Sequence, residues 1–313
     1  MSKDTEVNVP TIKVKQVDAS LDKPLDADAP PTIYQTKLTP ELASAALNLS
    51  VDFLKQQQSL CNYYLIKSPI VIIIDLLFLI IYLGPRLNYP PLNSSNDSMV
   101  SRFSSVSGYL YHIYMMNKFT LLSAALFTVM LTSFVFTLVS RLSDTFFKTK
   151  IEQIVKGDGE IIFGFKLTDI VKITKTTPNL SENTNIVVYR NTPIALVSVS
   201  ENQVLSTPDS LTMTISTIGC RRVYVKSGIL EDLLDWTMLR TKAIGVGKNK
   251  LDKSMKVLIE IYSFDDAMKK ILKKKGYSCI SVGKAQENRL LSGLFGVKKE
   301  LWGVQFHVKN PEL

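Results

Sequence analysis

The chain changes its hydrophobic rhythm several times, and each change marks an element. Residues 1–30 are polar, with Pro and Asp crowded into "LDKPLDADAPP", a composition that cannot form a core and reads as a disordered arm. "TIYQTKL" then alternates apolar and polar positions, which predicts a short strand. In "TPELASAALNLSVDFLKQQQ" the period lengthens, and Leu42, Ala45, Ala46, Leu49 and Phe53 fall on one helical face. Thr39 is placed to cap this helix, with Pro40 at its first position and Glu41 beside its positive end.

Two stretches then lose their polar positions almost entirely. Phe119–Ser140 is 22 residues without a charge, about what a hydrocarbon core of roughly 30 Å demands of a helix. The earlier run, Ser68–Gly84 ("SPIVIIIDLLFLIIYLG"), is shorter and carries Asp75 near its middle. Alone it could be a buried core helix; beside the second run it reads as one arm of a transmembrane hairpin. The predicted arms are 68–84 and 119–140, joined by a short luminal loop over 85–118. The first 60 residues hold no basic segment followed by an apolar one, so neither run reads as a cleaved signal peptide.

After the hairpin the rhythm returns to that of a packed domain. "DTFFKTKIEQIVKGDGE" predicts an amphipathic helix stopped by Gly157 and Gly159. "NIVVYRNTPIALVSV" is a β-hairpin pattern, two β-branched runs around Arg-Asn-Thr-Pro. "LTMTISTI" and "KVLIEIYS" predict further strands, the second of the buried kind, and "FDDAMKKILKKKGY" a helix closed by Gly276. "CISVG" and "LWGVQFHV" are late strands. The predicted order is β–α–[two spans]–α–β–β–β–α–β–α–β–β. This is a mixed α/β domain, its first strand and helix (31–60) separated from the remainder (141–313) by a membrane insertion.

Charge refines this picture. The net charge is +9, but residues 1–140 hold ten basic and ten acidic side chains, whereas 141–313 hold 27 and 18. An excess of that sign beside a membrane suits an anionic cytosolic leaflet, and no nucleic-acid motif accompanies it. Lys55 and Lys67 precede the first span, and Arg141, Lys148 and Lys150 follow the second. Arg86, Arg102 and Lys118 lie between the spans, so the small bias puts both termini in the cytosol. Sequons at Asn93 and Asn96 would be glycosylation acceptors if luminal. Cys61, Cys220 and Cys279 have no metal or disulfide spacing and read as reduced thiols.

One stretch carries candidate chemistry: "CRRVYVKSGILEDLLDWTM", Cys220–Met238. A polar turn, Gly228-Ile229 and an amphipathic helix with Leu233-Leu234-Asp235-Trp236 resemble the coenzyme-A loop of the GNAT acetyltransferase superfamily. Downstream, Asp265–Tyr277 ("DDAMKKILKKKGY") is similar to that superfamily's second signature. The resemblance implies a GNAT-like mixed sheet with flanking helices, interrupted by the two-helix hairpin.

It also exposes defects. Backbone N–H groups at a helix start bind pyrophosphate, and glycine is needed where backbone must approach phosphate closely. Lys226 and Leu230 replace the glycines before and after Gly228, and Glu231 and Asp232 follow directly. Leu230 would stand where phosphate sits, and two carboxylates would repel it. The Tyr that often protonates the departing thiolate in the superfamily aligns with Leu272, which has no proton to give. His112 and His307 are not placed as bases; Glu260 is the best remaining carboxylate, and a structural role suits it better. The expectation is a pseudoenzyme with no catalytic residues, cofactor or metal, its loop of Lys226, Gly228 and Leu230 being degenerate. The rival is an active membrane-bound N-acetyltransferase using acetyl-CoA.

Two polar features remain. Asp75 within a span costs about 2.5–3.5 kcal/mol on insertion scales and should face a partner. That partner is either a polar group of a client membrane protein or Ser123, Thr128, Thr132 or Ser133 in the same hairpin. Lys269, Lys270, Lys273, Lys274 and Lys275 form a basic edge, read as a solvated face with lipid headgroups as the lesser alternative.

The arm ("SLDKPLDADAPPTIYQTKLTPELASAALNL"), hairpin and tail together resemble a small fungal family of endoplasmic-reticulum accessory proteins. The resemblance implies a packaging chaperone with two spans and cytosolic termini, needed for a high-affinity phosphate transporter to fold or leave the reticulum. It implies the transporter as partner, with vesicle-coat components and an anionic lipid surface as further candidates. Two spans cannot themselves form an alternating-access transporter, which needs repeats of several helices. A membrane scaffold without a dedicated client is the third class.

Overall fold

The computed structural model describes residues 32–89, 99–172, 178–207, 210–247, 254–285 and 289–307. The N-terminal arm and both sequons lie outside the described residues. The chain divides into two units, residues 1–60 with 145–313, and residues 61–144.

The larger unit is built on one seven-stranded sheet of order β1-β2-β3-β4-β5-β7-β6. Its strands are β1 (Ile33–Lys37), β2 (Thr184–Tyr189), β3 (Thr192–Glu201), β4 (Ser210–Cys220), β5 (Ser254–Tyr262), β6 (Ser278–Lys284) and β7 (Lys298–His307). Only β4 and β5 run parallel; the other neighbours are antiparallel. The helices in chain order are α1 (Ala43–Ile66), α2 (Pro69–Leu83), α3 (Met99–Lys156), α4 (Glu160–Phe163), α5 (Pro178–Ser181), α6 (Ile229–Gly247), α7 (Asp266–Lys274) and α8 (Arg289–Gly293). This mixed α/β layout, with helices flanking the sheet, is the one the hydrophobic rhythm predicts.

Alternation along the strands feeds two cores. Val187, Ala195 and Val197 join Met213, Val257, Ile229, Leu233, Leu234 and Leu272 in one cluster, which α6 and α7 cover. Ile186, Val188 and Leu196, their immediate neighbours in sequence, turn to Ala46, Leu49, Phe53, Ile154 and Phe163 in the other. With both faces covered, β2 and β3 must be apolar at almost every position, which is why they read as continuous β-branched runs. Arg190 and Asn191 turn β2 into β3 with φ of 46° and 61°, the left-handed pair of a tight hairpin, so Thr192 and Pro193 already belong to β3.

The first helix departs from expectation at its start. Thr39 is extended and its side chain makes no capping bond; a 3-10 turn over Pro40–Leu42 intervenes, closed by Leu42 N–H to Thr39 O at 3.1 Å. The buried stripe is Ala43, Ala46, Leu49 and Phe53, so Ala43 takes the place assigned to Ala45. Phe53 lies flat against Gly219 of β4, where an added Cβ would come within 2.5 Å of its ring.

The smaller unit is helical, and its apolar residues face outward: Ile72, Ile73, Leu76, Leu77, Ile80 and Ile81 of α2 are all exposed. Helix α3 is long and apolar enough to cross a membrane, and only 11% of its apolar window is buried within the protein. A core helix of a water-soluble unit would be mostly buried. Helix α2, at 15 residues, is about 22 Å long, short of the roughly 30 Å required, and qualifies only together with α1, across a 44° bend. The segment read as a loop up to residue 118 is helical from Met99, and α3 runs on for 58 residues. The boundary survives as a kink: Asn117 (φ −112°, ψ 16°) is the non-helical residue inside α3.

Candidate functional sites

The first candidate lies where two strands part. β4 and β5 pair from Ser210↔Ser254 to Ile215↔Ile259, then stop, although β4 continues to Cys220 and β5 to Tyr262. The chain leaves β4 through Arg221, a 3-10 turn (Arg222–Tyr224) and a second turn ending at Gly228, then enters α6. Gly228 has φ +86° and open space around its Cβ position, so a side chain is barred by backbone strain rather than by room.

The loop consumes part of its own donor set. Tyr224 N–H bonds to Arg221 O (2.8 Å), Ser227 N–H and Oγ–H both bond to Tyr224 O (3.0 and 2.6 Å), and Asp232 N–H bonds to Gly228 O (3.1 Å). Lys226 is exposed. Leu230 is only 8% exposed and lies in the core cluster with Ile229, so it serves packing. The carboxylates of α6 have partners on α7: Glu231 with Lys274 (3.5 Å) and Asp235 with Lys275 (2.5 Å). Asp232 has its carboxyl pushed above the usual range, by burial first and then by Asp235, with Lys275 opposing.

The thiol of Cys220 and the phenol of Tyr277 are shut away. Cys220 is buried, and burial with the nearby Glu231 charge pushes its thiol up to about 12, so it stays protonated. Leu272 is fully buried in the core. Tyr277, one turn beyond, is raised to about 12, chiefly by burial. Glu260 is exposed and faces Lys299 at 3.7 Å. His112 lies within α3 and His307 at the end of β7.

The basic edge of α7 is a solvated face at Lys270, Lys273 and Lys274, but several of its lysines also have partners. Besides Lys274 and Lys275, Lys269 is tied to Glu300 (3.0 Å) and donates to Ser263 O, and Lys273 sits 5.9 Å above the Trp302 ring. Glu300 also accepts from Trp302 Nε1 at 3.0 Å. Partners this far apart in sequence leave no local signal, which is why the edge read as a free face.

The second candidate is inside the smaller unit. Thr132 Oγ1 donates to Asp75 Oδ2 at 3.3 Å, while Asp75 Oδ1 is buried without a partner. Nearby, Tyr82 donates to Ser123 (3.2 Å), stacks on Phe127 (4.4 Å) and lies under Arg86. Asn117, 1% exposed, closes the far end. Its Nδ2 donates to Asn88 O and Ile113 O, and its Oδ1 accepts from Asn88 N, all at 2.9 Å. An Asn inside an apolar helix was the available clue, and the sequence reading passed over it.

Parallel strands that part, a glycine-centred turn and a helix beginning at the opening define the class: a mixed α/β domain in a chain that also carries an apolar helical unit. The solved structures it resembles are acetyltransferases. Arabidopsis thaliana Naa50 with a bisubstrate analogue is 13% identical, over 43% of this chain and 80% of that one, at a TM-score of 0.33. The ribosomal-protein-S18-alanine N-acetyltransferase of Escherichia coli is 11% identical (45% and 80% covered, TM-score 0.30). A GNAT-family acetyltransferase of Streptococcus pneumoniae is 12% identical (45% and 75%, TM-score 0.34). Likenesses of this size say nothing about substrate. Comparison with curated proteins gives no match. The family assignment is direct: residues 15–306 match the family of the inorganic phosphate transporter chaperone Pho86, and the chain belongs to that family.

Proposed function

We propose that this chain is an accessory protein of the endoplasmic-reticulum membrane, with two spans and cytosolic termini, that helps its phosphate transporter fold or leave the reticulum. The α/β domain serves as a scaffold without acetyl transfer, and Asp75 is a point of client contact within the membrane. Family membership supports the chaperone role. The observation that carries the non-catalytic reading is the pair of bridges Glu231–Lys274 and Asp235–Lys275, which tie the start of α6 to the end of α7. Carboxylates there oppose a pyrophosphate, and lysines engaged with them are withdrawn from binding one. Asp75 is half-buried and Thr132 answers only its Oδ2, so the carboxylate is incompletely satisfied within its own unit, which supports a client contact there.

The rival reading, an active N-acetyltransferase, keeps one observation in its favour: Gly228 retains its left-handed backbone and open surroundings. Calorimetry of the full chain in nanodiscs separates the two. We expect no acetyl-CoA binding by wild type. Saturable acetyl-CoA binding with turnover, lost in Gly228→Ala, overturns the scaffold reading. Coat components as partners remain an expectation of the same proposal, tested by cross-linking during vesicle budding.

A further inference from the structure

We propose that the loop Arg221–Ser227 is a membrane-surface anchor, in which Arg221, Arg222 and Lys226 engage anionic phospholipid headgroups and Val223 enters the interfacial layer. The inference rests on the reading of the chain as a membrane protein with a cytosolic α/β domain.

Val223 is 87% exposed in a loop whose charged residues, Arg221, Arg222 and Lys226, are all cationic. Arg221, Arg222 and Lys226 are exposed, and among the described residues none has an ion pair or a side-chain hydrogen bond. Arg190, in the β2–β3 turn, adds a fourth cation alongside, since Tyr189 packs edge-on against Tyr224 at 6.1 Å. Of the acidic groups that follow the loop, Glu231 and Asp235 are bridged to α7, and Asp232 is half-buried, its carboxyl held above the usual range chiefly by that burial. The frame is fixed: Arg221 N–H bonds to Ile194 O at 2.7 Å, and Ser227 folds back on Tyr224. A fixed row of cations around one bare apolar side chain is the composition of an interfacial contact, in which headgroups hold the charges and the apolar group sinks below them.

Continuity of the chain selects the membrane over a protein partner. Both connections to the helical unit leave from this end of the sheet. Gln56 of α1 donates to Cys220 O at 3.3 Å, next to the loop, and α3 returns with Phe146, Phe147 and Lys150 against Tyr262, at the end of β5. From Gln56 to Ser68, where the first apolar run begins, is about 18 Å of chain if helical, and from Ser140 to Lys150 about 15 Å. The opposite end of β4 supplies the contrast. There Val204 is 91% exposed, but its neighbours are Glu201, Asn202 and Gln203 rather than cations.

That contrast is the test. Full-length protein carrying Cys279→Ser, which removes the exposed native thiol, is given Val223→Cys or Val204→Cys and labelled with an environment-sensitive fluorophore. It is then placed in nanodiscs of phosphatidylcholine alone or with phosphatidylserine. Incorporation into nanodiscs reports on the hairpin independently of the label, so failure of the membrane reading and failure of the loop contact are distinguishable. The expected result is a blue shift at position 223 in anionic discs only. It should be lost at 1 M salt, where the Debye length falls to about 3 Å, and lost in Arg221→Gln/Arg222→Gln/Lys226→Gln. Position 204 should not shift. Equal behaviour at 223 and 204, an equal shift in neutral discs, or a shift that appears only when a client protein is added, overturns the proposal.

Discussion

The two units of this protein expose opposite things. In the α/β unit the interior is apolar, and its charged groups pair near the surface, as Glu231, Asp235 and Glu300 do with the lysines of α7. In the helical unit the isoleucines and leucines of α2 face outward, and polar groups pair with each other: Asp75 with Thr132, Tyr82 with Ser123, Asn117 with Asn88. Water as solvent favours the first arrangement; the second is what lipid would favour, because lipid gives apolar side chains no reason to cluster and leaves hydrogen bonds to hold helices together. One chain therefore carries two folding codes, and a substitution should act according to the unit it falls in.

The largest effect should be on the water-facing code. Phe53→Ala empties a space against Gly219 and should cost about 3–5 kcal/mol, seen as a large drop in the thermal midpoint of the α/β unit. If Phe53→Ala left that midpoint unchanged, the packing on β4 would be wrong. The opposite sign is expected across the boundary. Asp75→Leu should ease membrane insertion by about 2.5–3.5 kcal/mol and yet strand the transporter in the reticulum. Normal delivery with Asp75→Leu would show that Thr132 is all the partner Asp75 has, and would move client recognition to the α/β unit. Asn117→Leu, apolar for polar inside the smaller unit, should destabilise it by about 1–3 kcal/mol, because Asn88 loses its hydrogen bonds. Faster proteolysis of nanodisc-held protein near Asn88 is the readout; unchanged protection would make the clamp irrelevant.

The smallest effect concerns Asp232 and has a defined sign. Its folded-state carboxyl is raised, so ionisation opposes folding at neutral pH. As pH falls, the folded form takes up the proton first and relative stability rises, until the unfolded carboxyl also protonates near pH 4, roughly. Asp232→Asn should therefore be more stable than wild type at about pH 7, with the gap closing on mild acidification. A gap that widens towards acid would reverse the assignment.

What the sequence revealed, and what it hid, divides along the range of the interactions. The strands, the hairpin turn at Arg190–Asn191 and the helix closed by Gly276 are local matters of period and turn chemistry, and the structure has them in the predicted order. Lys274 and Lys275 looked free because their partners on α6 are 43 and 40 residues away. Leu230 looked like an intruder in a phosphate loop because sequence does not tell which way the first turn of α6 faces; in the fold it is a core residue. Thr39 looked like a cap because the residue type and the following Pro fit, but the 3-10 turn takes the backbone elsewhere. The kink at Asn117 depends on Asn88 across the hairpin, so a helical period running from one side could not reveal where α3 breaks.

The pairing of β1 with β2 has a consequence in time. Gln35 and Asn185 share a 3.0 Å hydrogen bond across a separation of 150 residues, and everything between them, both apolar runs included, is synthesised before that bond can form. At about 5–20 residues per second, the nascent first strand waits roughly 8–30 s for its mate. The edge of β2 stays bare unless the intervening helices have settled so that the two segments can meet. Closure of this edge of the sheet is thus timed by the ribosome's own clock, since it cannot begin before Asn185 has been made.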